Sequence, residues 1–147
     1  MSTEIKNKKA IFEYFLLEEF VAGMVLTGSE IKSIRAGKAN IADAYCKMKD
    51  GEVMVINMNI SPYSNGGYVN HEERRVRKLL LTQTELARIN RKLKDTGITV
   101  VPTLLFINDK GWAKLKIALA KGKNHGDKRN DAKEKDLRRE MDRGLNS

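Results

Sequence analysis

From Ala42 the chain alternates, with Ala42, Ala44, Cys46 and Met48 on one side and Asp43, Tyr45, Lys47 and Lys49 on the other. Period two marks a half-buried strand, because successive side chains leave a strand on opposite faces. Asp50-Gly51 suits a tight turn, and "EVMVINMNI" returns with Met54, Ile56, Met58 and Ile60 in phase, so this region reads as a hairpin. "ITVVPTLLFI" and "WAKLKIALAK" predict a second hairpin across "NDKG", with Ala113, Leu115, Ile117 and Leu119 inward and Lys114 and Lys116 outward. Pro102 lacks an N–H and is expected on an edge or at a bulge.

Two segments carry a helical period instead. Thr82 and Glu85 in "TQTE" make a capping box ahead of a Leu86, Ile89, Leu93 stripe, with Gly97 as the C-cap. "GSEIKSIRAG" offers Ser29 as N-cap, Ile31 and Ile34 on one face, and Gly37 as the stop. The centre of residues 8–27, "KKAIFEYFLLEEFVAGMVLT", reads as a strand with a break near Gly23, with a helix left open because short apolar runs do not separate the two. "SPYSNGGYVNHEERR" gathers Pro62, Asn65, Gly66 and Gly67 into a long loop. Strands interrupted by two or three helices predict a mainly β fold. A small barrel or strongly curved sheet fits, and a closed or partly closed OB-like antiparallel barrel is one such solution. Residues 1–121 are expected to form this domain and 122–147 a basic tail that is disordered when free.

Charge changes the picture more than length does. The 28 Lys and Arg outnumber 19 Asp and Glu, a formal +9 that favours polyanionic partners. Nine basic and six acidic residues from Lys121 onward put +3 in the tail and leave +6 in the body. The lone Cys46 cannot form an internal disulfide, which points to a reducing, cytoplasmic compartment. No run approaches the ~18 apolar residues of a membrane span, so neither membrane association nor export is expected.

Catalytic constellations are missing. His71 and His125 fall in loop and tail without a second histidine at ligand spacing, so no metal or other cofactor is expected. "GKAN" lacks the Ser or Thr of a phosphate-binding loop, and Cys46 on an apolar strand face reads as core. Glu18-Glu19 and Glu72-Glu73 are adjacent rather than facing, so they do not by themselves make an acid/base pair. The basic clusters point elsewhere: "RRVRK" (residues 74–78), Lys114 with Lys116, and Lys32, Arg35 and Lys38 around the first helix. Each alone reads as a solvated face, whereas all three on a +9 chain favour nucleic acid. Tyr45, Tyr63 or Tyr68 could stack on unpaired bases, though alternation places only Tyr45 outward.

"GSEIKSIRAGKANIADAY" (residues 28–45) resembles the signature of the small protein B family, bacterial partners of transfer-messenger RNA. "RKLLLTQTEL" and "KLKIALAKGK" with a following "DKR" are similar to that family's later motifs in the same order. The resemblance implies an OB-like barrel that performs no chemistry and binds the tRNA-like domain of transfer-messenger RNA. The complex then rescues stalled ribosomes by trans-translation. Implied partners are that RNA and the ribosome, including 16S rRNA of the decoding centre. Alanyl-tRNA synthetase and elongation factor Tu are implied functional associates, and a monomer is expected. A general OB-fold RNA-binding or ribosome-associated protein is the alternative.

Matching the motifs assigns Glu30, Lys32, Ser33, Arg35, Lys38, Asn40, Arg77, Lys78, Lys114 and Lys116 to the RNA. Lys121, Gly122, Lys123, His125, Asp127, Lys128, Arg129, Lys133 and Arg138 are assigned to a tail that meets the ribosome. Three positions depart from the family pattern: Phe12 where relatives often have His, Val21 where many have Glu, and Gly126 where a ring commonly precedes "DKR". His125 stands one residue before that gap. Tail pairs Asp131 with Lys135 and Glu134 with Arg138, at i,i+4, add only ~0.3 kcal/mol each to a helix. A helix is therefore expected only against phosphate-rich RNA, in the ribosome's empty messenger channel.

Overall fold

The alternating segments close on themselves. In the computed structural model, which describes residues 3–63 and 70–123, the chain begins with β1 (Glu4–Lys6), α1 (Lys8–Glu13), β2 (Tyr14–Met24) and α2 (Gly28–Arg35). β3 (Ala39–Asn40), β4 (Tyr45–Lys49), β5 (Glu52–Ile56) and β6 (Asn59–Ile60) follow, then β7 (Arg77–Leu80), α3 (Gln83–Lys92), β8 (Ile98–Ile107) and β9 (Ala113–Gly122). The seven-stranded sheet runs β1-β8-β4-β5-β7-β2-β9, and β9 pairs back onto β8. This closed antiparallel ring, with three helices, is the mainly β OB-like arrangement the alternation predicts. β3 and β6 form a separate two-stranded sheet.

Closure depends on β8 being shared. One edge of it runs along β9, while the other takes β4 at Val100 and β1 from Leu104 to Phe106. Pro102 sits where that edge changes partner, at a register shift between Pro102 and Leu104, so its missing N–H falls at a bulge as expected. Asn7 is buried in the same gap. Its Nδ2 donates to the carbonyls of Ile41 (2.9 Å) and Pro102 (2.8 Å) and its Oδ1 accepts from the Ala10 N–H at 3.0 Å, capping α1.

Ala113, Leu115, Ile117 and Leu119 point inward, as their phase requires, against Ile34 of α2 and Leu86 and Ile89 of α3. Ala118 and Ala120 are fully buried too, and Ala120 packs with Ala10 of α1 and Val101 in a second, smaller cluster. Small side chains on that face let the helix lie close.

The centre of residues 8–27 is the expected strand, β2, which ends at Met24, and the helix left open there is α1, whose first turn buried Asn7 caps. Three local expectations need correction. The N-cap of α2 is Thr27, not Ser29: Thr27 Oγ1 accepts the Glu30 N–H at 3.3 Å and Glu30 Oε1 accepts the Thr27 N–H at 2.8 Å. In the return strand the buried residues are Val53 and Val55, with Met54 and Ile56 only half-buried. Asn57 then takes φ 65° and shifts the phase, so that Met58 and Ile60 do point inward. Finally, α3 has its capping box at Thr82 and Glu85 but ends at Leu93, and Gly97 (φ 84°) serves the later turn into β8. The Asp50-Gly51 turn has φ of 53° and 78°, both positive, as a tight hairpin needs.

Candidate nucleic-acid interface

α2 carries its cations outward because its inner side is locked by a buried acid. Glu30 is fully buried in the first turn and accepts from Arg75 Nη2 at 2.7 Å, Arg75 Nε at 3.1 Å and Arg77 Nε at 2.8 Å. Arg77 is itself fully buried, donating to the carbonyls of Met58 (2.7 Å), Glu73 (3.1 Å) and Glu72 (3.3 Å). Burial alone would raise the Glu30 carboxyl pKa, but hydrogen bonds from Arg75, the Thr27 N–H and Arg77 hold it down at about 2. Burial lowers the Arg77 guanidinium pKa, whereas the hydrogen bond to Glu30 raises that of Arg75. Paired this way, the charges avoid the cost of an isolated buried ion.

At its other end α2 closes with a Schellman turn. Gly37 (φ 76°) donates to the Ile34 carbonyl at 2.9 Å and Lys38 to the Ser33 carbonyl at 2.9 Å, which fixes the direction in which Lys38 leaves. Lys32, Arg35, Lys38 and Asn40 are exposed around this helix and turn. Lys32 Nζ lies 5.7 Å from the centre of the Tyr63 ring, Asn40 Oδ1 accepts the Ala42 N–H at 2.8 Å, and Arg35 Nη2 donates to the Gly111 carbonyl at 3.1 Å.

The second group of cations lies across the outside of the ring. Gly23 of β2 pairs with Leu80 of β7 on one side and Lys114 of β9 on the other, and Val21 pairs with Lys116. Leu79 is buried whereas Leu80 is half exposed. Lys78 lies outward on β7, 3.9 Å from Glu52, and Lys116 Nζ is 3.8 Å from Glu19. Two grooves join the groups. One of about 420 Å³ is lined by Thr27, Gly28, Ile31, Arg35 and Trp112, and another of about 550 Å³ by Gly23, Leu80, Lys110, Trp112 and Lys114.

Seven of the ten assigned RNA residues thus reach the surface: Lys32, Arg35, Lys38, Asn40, Lys78, Lys114 and Lys116. Glu30, Ser33 and Arg77 do not. Glu30 and Arg77 satisfy one another, and Ser33 Oγ donates to the Ser61 carbonyl at 2.7 Å, so the three hold α2 from inside. Of the tail positions, Lys121, Gly122 and Lys123 are described, with Lys123 donating its N–H to Glu13 at 2.9 Å. His125, Asp127, Lys128, Arg129, Lys133 and Arg138 lie outside the described residues, as do Gly126 and Tyr68. Phe12 and Val21 are both exposed, and Lys123 Nζ stands 5.4 Å from the Phe15 ring centre.

Residues that could suggest other chemistry are occupied structurally. His71 joins Ser29 Oγ and the Ile60 carbonyl, each at 2.8 Å, and burial pushes the Cys46 thiol pKa far up. Among the described residues no His, Cys, Asp and Glu cluster could hold a metal. Two members of the site escaped the sequence pattern. Arg75 looked like one of four equivalent cations. Trp112 opens the outward phase Trp112, Lys114, Lys116, and that phase was the signal available for it.

A closed antiparallel ring with a cationic outer face defines a basic OB-like module suited to a polyanion. The comparisons narrow this to one family. The SmpB protein family model matches residues 4–147, and the chain belongs to that family. It is 56% identical to the SsrA-binding protein of Bacteroides thetaiotaomicron over 97% of this chain and 95% of that one. The SsrA-binding protein of Symbiobacterium thermophilum is 46% identical, over 95% of this chain and 89% of its own. A solved structure described as "tmRNA-SmpB: a journey to the center of the bacterial ribosome" superposes with a TM-score of 0.71. It is 40% identical and covers 83% of this chain and 85% of that one.

Proposed function

We propose that this chain binds the tRNA-like domain of transfer-messenger RNA and, with it, serves the rescue of stalled ribosomes by trans-translation. The observation that carries the reading is the convergence of Arg35 from α2 and Lys114 from β9 on adjoining grooves. These groups lie 79 positions apart in the chain and share no secondary-structure element. The SsrA-binding names of the relatives and the tmRNA-SmpB description of the structural neighbour support it. Phosphate contacts from Lys32, Arg35, Lys38, Lys78, Lys114 and Lys116 supply affinity, and the Glu30–Arg77 pair fixes the helix that presents the first three.

The protein acts by binding, without catalysis, in the cytoplasm. Alanyl-tRNA synthetase charges the RNA and elongation factor Tu delivers it, so both are associates of the complex. The tail expected from residue 122 acts beyond β9, whose last residue is Gly122, and probes the decoding centre and the empty messenger channel. Its cations, Lys128, Arg129, Lys133 and Arg138 among them, gain counterion release against ribosomal RNA that offsets the entropy of ordering.

The test is affinity for a tRNA-like-domain transcript against an elongator tRNA at matched salt. A clear preference for the former is expected, and parity would reduce the protein to a general RNA binder. Lys114→Ala with Lys116→Ala is expected to lower the slope of log affinity against log salt by about 2, one unit per phosphate contact. An unchanged slope would remove β9 from the interface.

A further inference from the structure

Trp112 is the chain's single tryptophan, and it is 65% exposed among the described residues. A side chain this large gains by burial, so an indole held in solvent needs a reason. Flexibility is not that reason, because its backbone is fixed. Asn108 N–H donates to the Trp112 carbonyl at 2.9 Å, Asn108 Oδ1 accepts the N–H groups of Trp112 (2.9 Å) and Lys110 (3.0 Å), and the Gly111 N–H closes the turn on the Asn108 carbonyl at 2.9 Å. Gly111 itself has φ 85°, the left-handed conformation such a turn requires.

The surroundings define what fits against the ring. Trp112 lines both grooves, standing between Arg35 on the α2 side and Lys114 on the β9 side, with Lys110 common to the two. Arg35 is aimed there by its bond to the Gly111 carbonyl next to the tryptophan. Apolar Ile31 and Leu80 line the grooves, no acidic side chain does, and Asp109 of the turn lines neither. Gly23 leaves the groove open beside Leu80 of β7, whose Cβ an added Cβ would meet at 3.4 Å. A flat uncharged ring flanked by phosphates matches a platform of indole between cations, the arrangement that holds unpaired nucleotides.

We propose that Trp112 is a stacking platform for one unpaired base of the bound RNA, with the flanking phosphates held by Arg35 and Lys114. The assignment rests on the RNA-binding reading above and adds the nucleotide state that this site requires: a base free of the duplex.

The single tryptophan makes the test direct. Full-length protein is titrated with a tRNA-like-domain transcript and, separately, with a blunt RNA duplex of equal length, following indole fluorescence and, independently, binding by anisotropy of labelled RNA. The transcript is expected to quench the indole in step with binding, and the duplex to bind without quenching. Trp112→Ala is expected to weaken transcript binding roughly 5- to 100-fold at fixed salt, the range for loss of one base–aromatic stack, with an unchanged salt slope. Trp112→Phe should recover much of the loss. Circular dichroism and urea midpoints of both variants should match the parent, since the side chain is exposed. Wild-type affinity in Trp112→Ala, or equal quenching by duplex, overturns the stack while leaving the RNA-binding reading in place. Retained RNA affinity with lost ribosome association would assign the ring to another partner and also overturn it.

Discussion

Arg77 and Lys78 are neighbours in the chain and face opposite sides of β7. Arg77 is wholly buried and spends its donors on Glu30, Met58, Glu72 and Glu73, while Lys78 stands in solvent 3.9 Å from Glu52. The same contrast separates α2's two sides, with Glu30 and Ser33 inside and Lys32 and Arg35 outside. One set of charges is satisfied inside the fold and the other is left toward solvent. Arginine suits the inner task because its planar fork satisfies several acceptors at once, whereas an ammonium would leave part of that geometry unmet.

The largest effect should come from breaking the inner set. Arg77→Ala leaves the Glu30 carboxylate buried with one partner fewer, and removing one member of a buried pair costs about 3–5 kcal/mol. That is a large fraction of a typical stability of ~5–15 kcal/mol. Lys78→Ala should stay within about 0.5 kcal/mol of the parent, as exposed substitutions do. Urea unfolding of the two variants measures both. Comparable losses would erase the distinction between the two faces of β7.

Parts of this division could be seen in the sequence and parts could not. Alternation from Ala113 to Leu119 placed Lys114 and Lys116 outward correctly, because a strand's two faces are fixed by local geometry. The Thr82–Glu85 box was equally local. "RRVRK" reads as a basic cluster for RNA, with Arg77 and Lys78 both assigned to it, and nothing local says which of its cations turns inside. The deciding acid, Glu30, lies 47 positions away. The phase shift at Asn57 was hidden for a similar reason, since a non-glycine residue enters positive φ only when the surrounding fold holds it there. There, the Asn57 side chain donates to the Asp43 carbonyl at 3.3 Å and accepts from Arg74 at 2.6 Å, both long-range contacts.

A pH series sharpens the comparison next. The folded Glu30 carboxyl titrates at about 2, below its ordinary 4.5. A depressed carboxylate stabilises the fold fully above the unfolded value, and that contribution is lost as pH falls from 4.5 toward 2. At ~1.4 kcal/mol per unit the amount at stake is on the order of 3 kcal/mol. Glu30→Gln should therefore be less stable than the parent near neutrality, and its stability should fall less steeply between about pH 5 and pH 2. Identical acid limbs in the two proteins would mean that the buried carboxylate is not what acid attacks. Because Arg75 and Arg77 both pair with Glu30, neither arginine mutation should be additive with Glu30→Gln.

The smallest effect separates stability from presentation. Thr27 and Thr82 each cap a helix through a complete capping box, at the starts of α2 and α3 respectively. Replacing either by alanine removes the same kind of hydrogen bond, so each should cost about 1 kcal/mol. The helices differ in what they carry. α3 buries Leu86 and Ile89 and supplies none of the assigned RNA contacts, whereas α2 carries Lys32 and Arg35 and leads into Lys38. Thr27 also lines the groove beside Trp112, and its Oγ1 is the acceptor that the Glu30 N–H of the first turn would lose. Thr82→Ala should accordingly lower the urea midpoint and leave RNA affinity unchanged, while Thr27→Ala should lower both. Equal affinity in the two variants, at equal stability and matched salt, would show that the first turn of α2 contributes to the fold alone and that its cations reach the RNA without it.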